Sequence, residues 1–507
     1  MSFESTNFYG KGKNMRSMKS TLVGLAMVML VGAAALAQDK PAAPAATAAS
    51  EPKPGVSMTV YNGGYGVVRE VRNLDIKEGT DTKFTDVAQQ IDATTVHFKS
   101  ITDPAAKLLE QNYQYDLVSA DKLLQKYIDK SIEVVCKDKN YSGKLMSFDG
   151  NQIVLQEEKG SLVMVQRADN VRDIRFSALP EGLLTQPTLL WKVASAKGGN
   201  QLCEVTYQTG GIGWHAEYVL VLKDNDTAAD LSGWVSVQNN SGKTYKDAML
   251  KFIAGDVRKI VEQQPRMAYA KSARGGGEAF DAAPMEEKAF FEYHMYSLPR
   301  PSTVADNEIK QLEMFTPVSG LKVQKLYMYE PLKGMRWYGG QNLERTYGIT
   351  SDKKVQVFIE FKNSKENNPN LGIPLPAGKV RCYKQDPDDK AMEFVGEEKI
   401  DHTPKDEKIS LQIGNAFDVV GERRQTDFQL QTGRKWMSET FEIKIRNHKA
   451  EDITVRIKEP LTRWSQSKIT ETNVKEFKML DAFTAAWDVP VKADGETVLT
   501  YTVEYQW

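Results

Sequence analysis

Period-two alternation of apolar and polar residues dominates this chain and leaves it few folds other than packed β-sheets. The final run, LTYTVEYQW, puts Leu499, Tyr501, Val503, Tyr505 and Trp507 on one face of a strand. The segment Gly210 to Asp256 repeats the pattern in GIGWHAEYVLVL and LSGWVSVQN, with Gly, Asn and Ser turns closing each run. Each such strand must bury one face, so the expected architecture is all-β: a multidomain β-sandwich protein with few helices. Trp214, Ala216 and Tyr218 fall on the apolar side of their run, and His215 and Glu217 on the side turned to water. Trp214, Tyr218, Trp234 and Tyr245 are expected in or near the core.

At 507 residues the chain exceeds what one core usually supports, and roughly 150 residues per domain points to several. With 41% hydrophobic and 26% charged residues and a net charge of −1, it has no global field to gather nucleic acid or an anionic membrane. The N-terminus reads as a targeting segment, residues 1–37. Lys11, Lys13, Arg16 and Lys19 precede the apolar run Leu22 to Leu36, and Ala35-Leu36-Ala37 offers a small-x-small cleavage site before Gln38. Met1, Met15 and Met18 all stand upstream of that run as possible starts. The run is short of the ~20 apolar residues of a spanning helix, so no integral membrane segment is expected after cleavage. The expected location is therefore periplasmic or extracellular. Residues 38–55 are an Ala/Pro/Thr linker. Cys136, Cys203 and Cys382 each sit inside a strand-like run without C-x-x-C spacing, as buried thiols do.

An N-terminal β segment covers 56–104. Residues 105–128 read as a helical connector on Leu108, Leu109, Leu123 and Leu124, with Ser119 as an N-cap for its second piece. Between 129 and 177 come five short strands, SIEVVCK, SGKLMSFD, QIVLQEE, SLVMVQR and VRDIRF, separated by turn residues. Five strands in so short a stretch suggest a small inserted SH3-like barrel, and GKLMSFDGNQIVL resembles the Sm-like superfamily. Lys130 to Phe176 carries eight basic and seven acidic residues, too balanced for a phosphate-tracking surface. A long β domain then occupies 178–262 and 289–507. It is interrupted at 263–288 by a Gly/Ala-rich, charged stretch expected to form a flexible loop. Within the second part, FEIKIRNHKAEDITVRI reads as a hairpin that sets Phe441, Ile443 and Ile445 beside Ile453, Val455 and Ile457.

Motifs that hint at chemistry each lack a required part. Gly63-Gly64-x-Gly66 is followed by the β-branched run Val67-Val68-Arg69-Glu70-Val71, where a phosphate loop needs a helix, so Asn62-Gly63 reads as a hairpin turn. Ser241-Gly242-Lys243-Thr244 ends like a Walker loop, but Val237 stands where the motif needs its first glycine. His215 and Glu217 share a face without the further ligands a zinc ion requires. Asp386-Pro387-Asp388-Asp389 lacks the central Gly and terminal Glu of an EF-hand loop. His97, His294, His402 and His448 are scattered. No residue is assigned a catalytic, cofactor-binding or metal-ligating role, and no cofactor is implied.

From about Leu189 to Trp507 the chain resembles the DUF4139 family, exported bacterial proteins of unknown function. The resemblance is carried by GIGWHAEYVL, NNSGKTYKDAMLKFIAGD, YSLPRPSTVADNEIKQLEMF and the ending FEIKIRNHKAEDITVRIKEPL…DVPVKADGETVLTYTVEYQW. Longer, mucoidy inhibitor-like relatives carry a helical segment where this chain has its five short strands. The resemblance implies no reaction. The expected role is non-catalytic: binding a protein or envelope component, or scaffolding in the cell envelope, with no nucleic acid. The alternative is an envelope-associated enzyme such as a metal-assisted hydrolase, for which His215 and Glu217 are the first residues to inspect.

Overall fold

The computed structural model describes residues 53–507, apart from 78–79, 168–169, 181–182, 224, 256, 259–283 and 336–338. The targeting segment, most of the linker and most of the 263–288 stretch lie outside the described residues. That last stretch ends inside a strand, Glu286–Phe290. The described chain is almost wholly β, with one short α-helix, and its sheets stack in layers as the alternation requires.

The first core lies between an eight-stranded sheet and two smaller ones. Strand Gly55–Tyr61 runs parallel to Tyr245–Ala254 on one side and antiparallel to Tyr65–Ile76 on the other. The N-terminal β segment is thus built into the same sheet as the 178–262 region. A five-stranded sheet, in the order Glu308–Lys322, Ala228–Asn239, Ile212–Leu222, Gly378–Gln385, Met392–Ile400, packs on this core. So does a three-stranded sheet of Thr82–Thr85, Thr188–Ala194 and Lys107–Gln114. Its centre holds Trp191, Tyr207, Tyr218, Tyr245 and Phe252, all fully buried.

Lys107–Gln114 corrects the helical connector. This stretch pairs along Thr188–Ala194, and the α-helix is confined to Ala120–Lys126, capped by the Ser119 hydroxyl as expected. Leu108 and Leu109 are adjacent in sequence. A strand sends such neighbours to opposite faces: Leu108 packs against the core and Leu109 is exposed. Next comes a five-stranded antiparallel sheet in the order Val171–Arg175, Ser131–Cys136, Asn140–Phe148, Gln152–Gln156, Leu162–Gln166, all five strands where the sequence put them. It closes over its own small core of Leu124, Ile132, Val134, Leu145, Ile153 and Leu155.

The rest forms a nine-stranded sheet around another core. Leu499, Tyr501, Val503 and Tyr505 are buried there and Trp507 packs at its margin. The expected hairpin does not form. Trp436–Asn447 pairs with Lys408–Gln431 and Gly495–Gln506, whereas Ile453–Pro460 pairs with Gln324–Tyr329 and Thr484–Val491. The polar turn between them joins two separate stretches of the curled sheet, and the apolar faces of both strands contribute to one core. Asn447 fixes that turn by donating to the carbonyls of Glu451 and Lys492.

Two arginine–glutamate pairs are sunk into this region. Arg423 Nε lies 3.0 Å from both carboxylate oxygens of Glu459, its guanidinium carbon is 3.7 Å above the Phe441 ring, and the Tyr501 hydroxyl donates to Glu459. Arg463 binds Glu439 through Nε and Nη2, both at 2.7 Å, and donates to the carbonyls of Asn342, Glu344, Arg345 and Tyr347. Burial works against the Arg423 charge, but Glu459 outweighs it and holds the guanidinium above its ordinary range. Removing one partner strands the other in a medium that solvates it poorly. Arg423→Met should therefore lower unfolding free energy in denaturant by about 3–5 kcal/mol. The double change Arg423→Met with Glu459→Met should cost clearly less than that single substitution.

Candidate functional site

The Ile212–Leu222 strand alternates as expected. Trp214, Ala216 and Tyr218 are buried, with Trp214 Nε1 donating to the Ile253 carbonyl at 3.2 Å and the Tyr218 hydroxyl to Pro376 at 2.8 Å. His215 is exposed on the opposite face, while Glu217 is only 16% exposed. Its carboxylate accepts from Ser236 at 3.0 Å, Gln311 at 2.8 Å and Arg381 at 3.2 Å, and His215 Nε2 stands 3.5 Å away. Four strands contribute to this cluster because registry aligns them: Ser236 lies opposite both His215 and Gln311, and Arg381 follows Lys379, which pairs Glu217.

The same registry corrects one core residue. Trp234 lies directly opposite Glu217 and so shares its outer face, only half-buried. The inward place next to it belongs to Gly233, where a Cβ would come within 2.3 Å of the Phe315 ring. Tyr245 is fully buried, as expected.

Partial burial pushes the Glu217 carboxyl up, but the Ser236 hydroxyl and the Arg381 guanidinium together outweigh it and hold it below its ordinary value. Its contribution is full above the normal carboxylate range and fades as pH falls through the lowered folded value. Every oxygen of this carboxylate is engaged, so the cluster is built to brace a sheet face. Among the described residues no three His, Cys, Asp or Glu side chains come together as a metal would need.

The remaining motifs are turns. Gly64, at φ +79°, closes the tight hairpin between Gly55–Tyr61 and Tyr65–Ile76. Asp386 and Asp389 cap their own turn by accepting from the amides of Asp388 and Ala391, both at 2.8 Å. His294 pairs with Glu287 at 2.8 Å, and His402 Nδ1 accepts from the Ala377 amide at 3.1 Å. Cys136, Cys203 and Cys382 are buried free thiols, and burial pushes Cys382 up to about 12.

Lys243, the lysine of the Walker-like tail, is not presented to a ligand. It is 3% exposed, and its Nζ lies 3.2 Å from both Glu70 Oε1 and Asp86 Oδ2 while donating to the Asp86 carbonyl. Glu70 is fully buried, accepts from the Tyr207 hydroxyl at 2.7 Å, and is paired by Arg72. Gly242, at φ +79°, leaves no room for a Cβ beside Gln89. The sequence contains a signal for this cluster that motif spacing does not carry: Glu70 and Arg72 occupy the same alternating positions as Val68, Leu74 and Ile76, which face the core. A cleft of about 480 Å³ opens near the Arg463 pair, between Leu332, Lys333, Lys458, Asp481 and Phe483. Its lysines are already engaged, Lys458 with Glu330 at 3.0 Å and Lys333 with Gln412 at 3.2 Å.

These paired strands and their turns coincide with a recognised family pattern. Residues 203–507 match the family described as Domain of unknown function (DUF4139). The chain belongs to the DUF4139 family. No curated protein matches it significantly. The match starts at Cys203, so the DUF4139 region begins inside strand Gly199–Gly210 and takes its sheet neighbours, Tyr65–Ile76 and Ile91–Ser100, from outside the match.

Substitutions should separate bracing from chemistry. His215→Ala should leave the unfolding free energy in urea within about 0.5 kcal/mol of wild type. Glu217→Ala should cost about 1–3 kcal/mol, because Arg381, Ser236 and Gln311 lose their common acceptor. That difference should shrink as the medium is acidified below the normal carboxylate range.

Proposed function

We propose that this DUF4139 protein is exported and serves as a non-catalytic binding or scaffolding element of the cell envelope. One observation supports the reading above others. Met392–Ile400 ends the five-stranded sheet, paired on one side only, and its first four residues are exposed on both faces, including Met392, Phe394 and Val395. Residues 392–395, an exposed edge segment with outward apolar side chains, suit addition of a partner strand, while Gly396 just after them lies against the Ile413 main chain. The polar clusters, in contrast, have spent their charges on neighbours within the fold. No helix among the described residues is long and apolar enough to cross a membrane.

Two measurements test the proposal. N-terminal sequencing of the chain recovered from cells should start at Gln38, and a chain still starting at Met1, Met15 or Met18 would contradict export by cleavage. A photo-crosslinker at Phe394 should give discrete adducts in intact cells, and one at exposed Asp388 should not. Loss of function in His215→Ala at unchanged melting temperature would instead favour the hydrolase alternative.

A further inference from the structure

The Lys243 cluster holds the parts of a covalent cross-link. Its primary amine is almost wholly withdrawn from water, 3.2 Å from the side-chain oxygen of Asp86 and 3.2 Å from the buried carboxylate of Glu70. Nothing in the chain's local sequence requires this meeting, since Lys243 and Asp86 lie 157 positions apart. The approach is fixed from several sides. Lys243 also donates to the Asp86 main-chain carbonyl, Arg72 reaches the same carbonyl at 3.5 Å and that of Thr85 at 2.8 Å, and Asp86 itself sits at φ +58°. Glu70 is held by Tyr207 and Arg72, and the Tyr245 ring lies 5.9 Å from Nζ.

We propose that Lys243 and Asp86 form an intramolecular isopeptide bond, with Glu70 carrying the proton. The Lys243 ammonium passes one proton to the Asp86 carboxylate, the freed Nζ lone pair attacks Cγ of that carboxyl, and the Glu70 carboxylate takes a second proton from Nζ. The C–N bond forms as the C–OH bond breaks, and Glu70 returns its proton to the departing hydroxyl, which leaves as water. The products are one neutral secondary amide, one water and the restored Glu70 carboxylate, with no change in oxidation state and no co-reactant. Holding amine and carboxyl in contact replaces an unfavourable bimolecular encounter by an intramolecular one. The buried carboxylate supplies general acid–base catalysis. Asp86 is 54% exposed, so the water has a way out. The bond would tie the turn before Tyr245–Ala254 to the loop after Thr82–Thr85, in a chain whose three cysteines are all unpaired.

The test is the mass of the full chain as purified from cells, followed by protease mapping. The cross-linked protein is lighter by one water than the sequence counted from its own N-terminus. Its digest contains a branched peptide joining Lys243 to Asp86, and Lys243→Arg and Asp86→Ala each abolish that peptide. Glu70→Gln keeps both reacting groups and should lower the branched fraction at least severalfold. The wild-type measurement stands even where a variant fails to fold. Wild-type chain at the unmodified mass of the sequence from its own N-terminus, with Lys243 and Asp86 in separate linear peptides, would reduce the cluster to an ion pair and overturn the proposal. So would a missing water that persists in Lys243→Arg.

Discussion

The strand Gly55–Tyr61 carries the constraint on which the first half of the molecule depends. It is one of two seams between the N-terminal hairpin and the DUF4139 region: it pairs Tyr245–Ala254, and its hairpin partner Tyr65–Ile76 pairs Gly199–Gly210. Met58 and Val60 point from it into the shared core beside Leu250 and Phe252. Parallel pairing cannot be made by a tight turn, so the intervening chain has to be accommodated elsewhere. The small five-stranded sheet with its own core, the three-stranded sheet and the Ile212–Leu222 and Ala228–Asn239 strands of the other five-stranded sheet are all part of that detour. The family region therefore finishes its sheet with strands that its own sequence pattern does not contain.

Strand content was legible because alternation is a local property. The last strand, the Ile212–Leu222 strand and all five strands of the small sheet lie where period two placed them. Pairing was not legible, because it is settled by which faces meet. Phe441, Ile443 and Ile445 do share a core with Ile453, Val455 and Ile457, yet the two strands have different ladder partners. A short polar turn between two amphipathic strands suits a hairpin and a crossing between layers equally. Trp234 shows the same limit at one residue. Its aromatic character suggested the interior, and only its registry with Glu217 reveals the outer face. Residues 107–114 failed for another reason: clustered leucines satisfy a helical stripe and a strand alike when the run is short.

The polar clusters follow a rule that could have been applied to the sequence. Glu70, Glu439 and Glu459 each stand at an inward position of an alternating strand, among Val68 and Leu74, Phe441 and Ile443, or Val455 and Ile457. A carboxylate there must find a cation inside the fold, since leaving it unpaired costs more than the strand can supply. The partners Lys243, Arg463 and Arg423 come from distant segments and could not have been named in advance. Motif spacing along the chain carries no trace of these clusters, whereas a charge at the wrong parity does. By that measure His215 and Glu217 were never exceptional, for they lie on the face where charge belongs.

Arg463 has a further consequence for how this region can change through time. It holds the 342–347 stretch through main-chain carbonyls, and every amino acid provides one. These contacts do not depend on the stretch's own side chains, which add the Asn342 Oδ1 acceptor for the Glu344 amide and the Tyr347 ring 5.4 Å from the guanidinium. Substitutions along it can accumulate while its course stays the same. The fixed point is a single arginine more than a hundred residues downstream, together with the glutamate that keeps it in place.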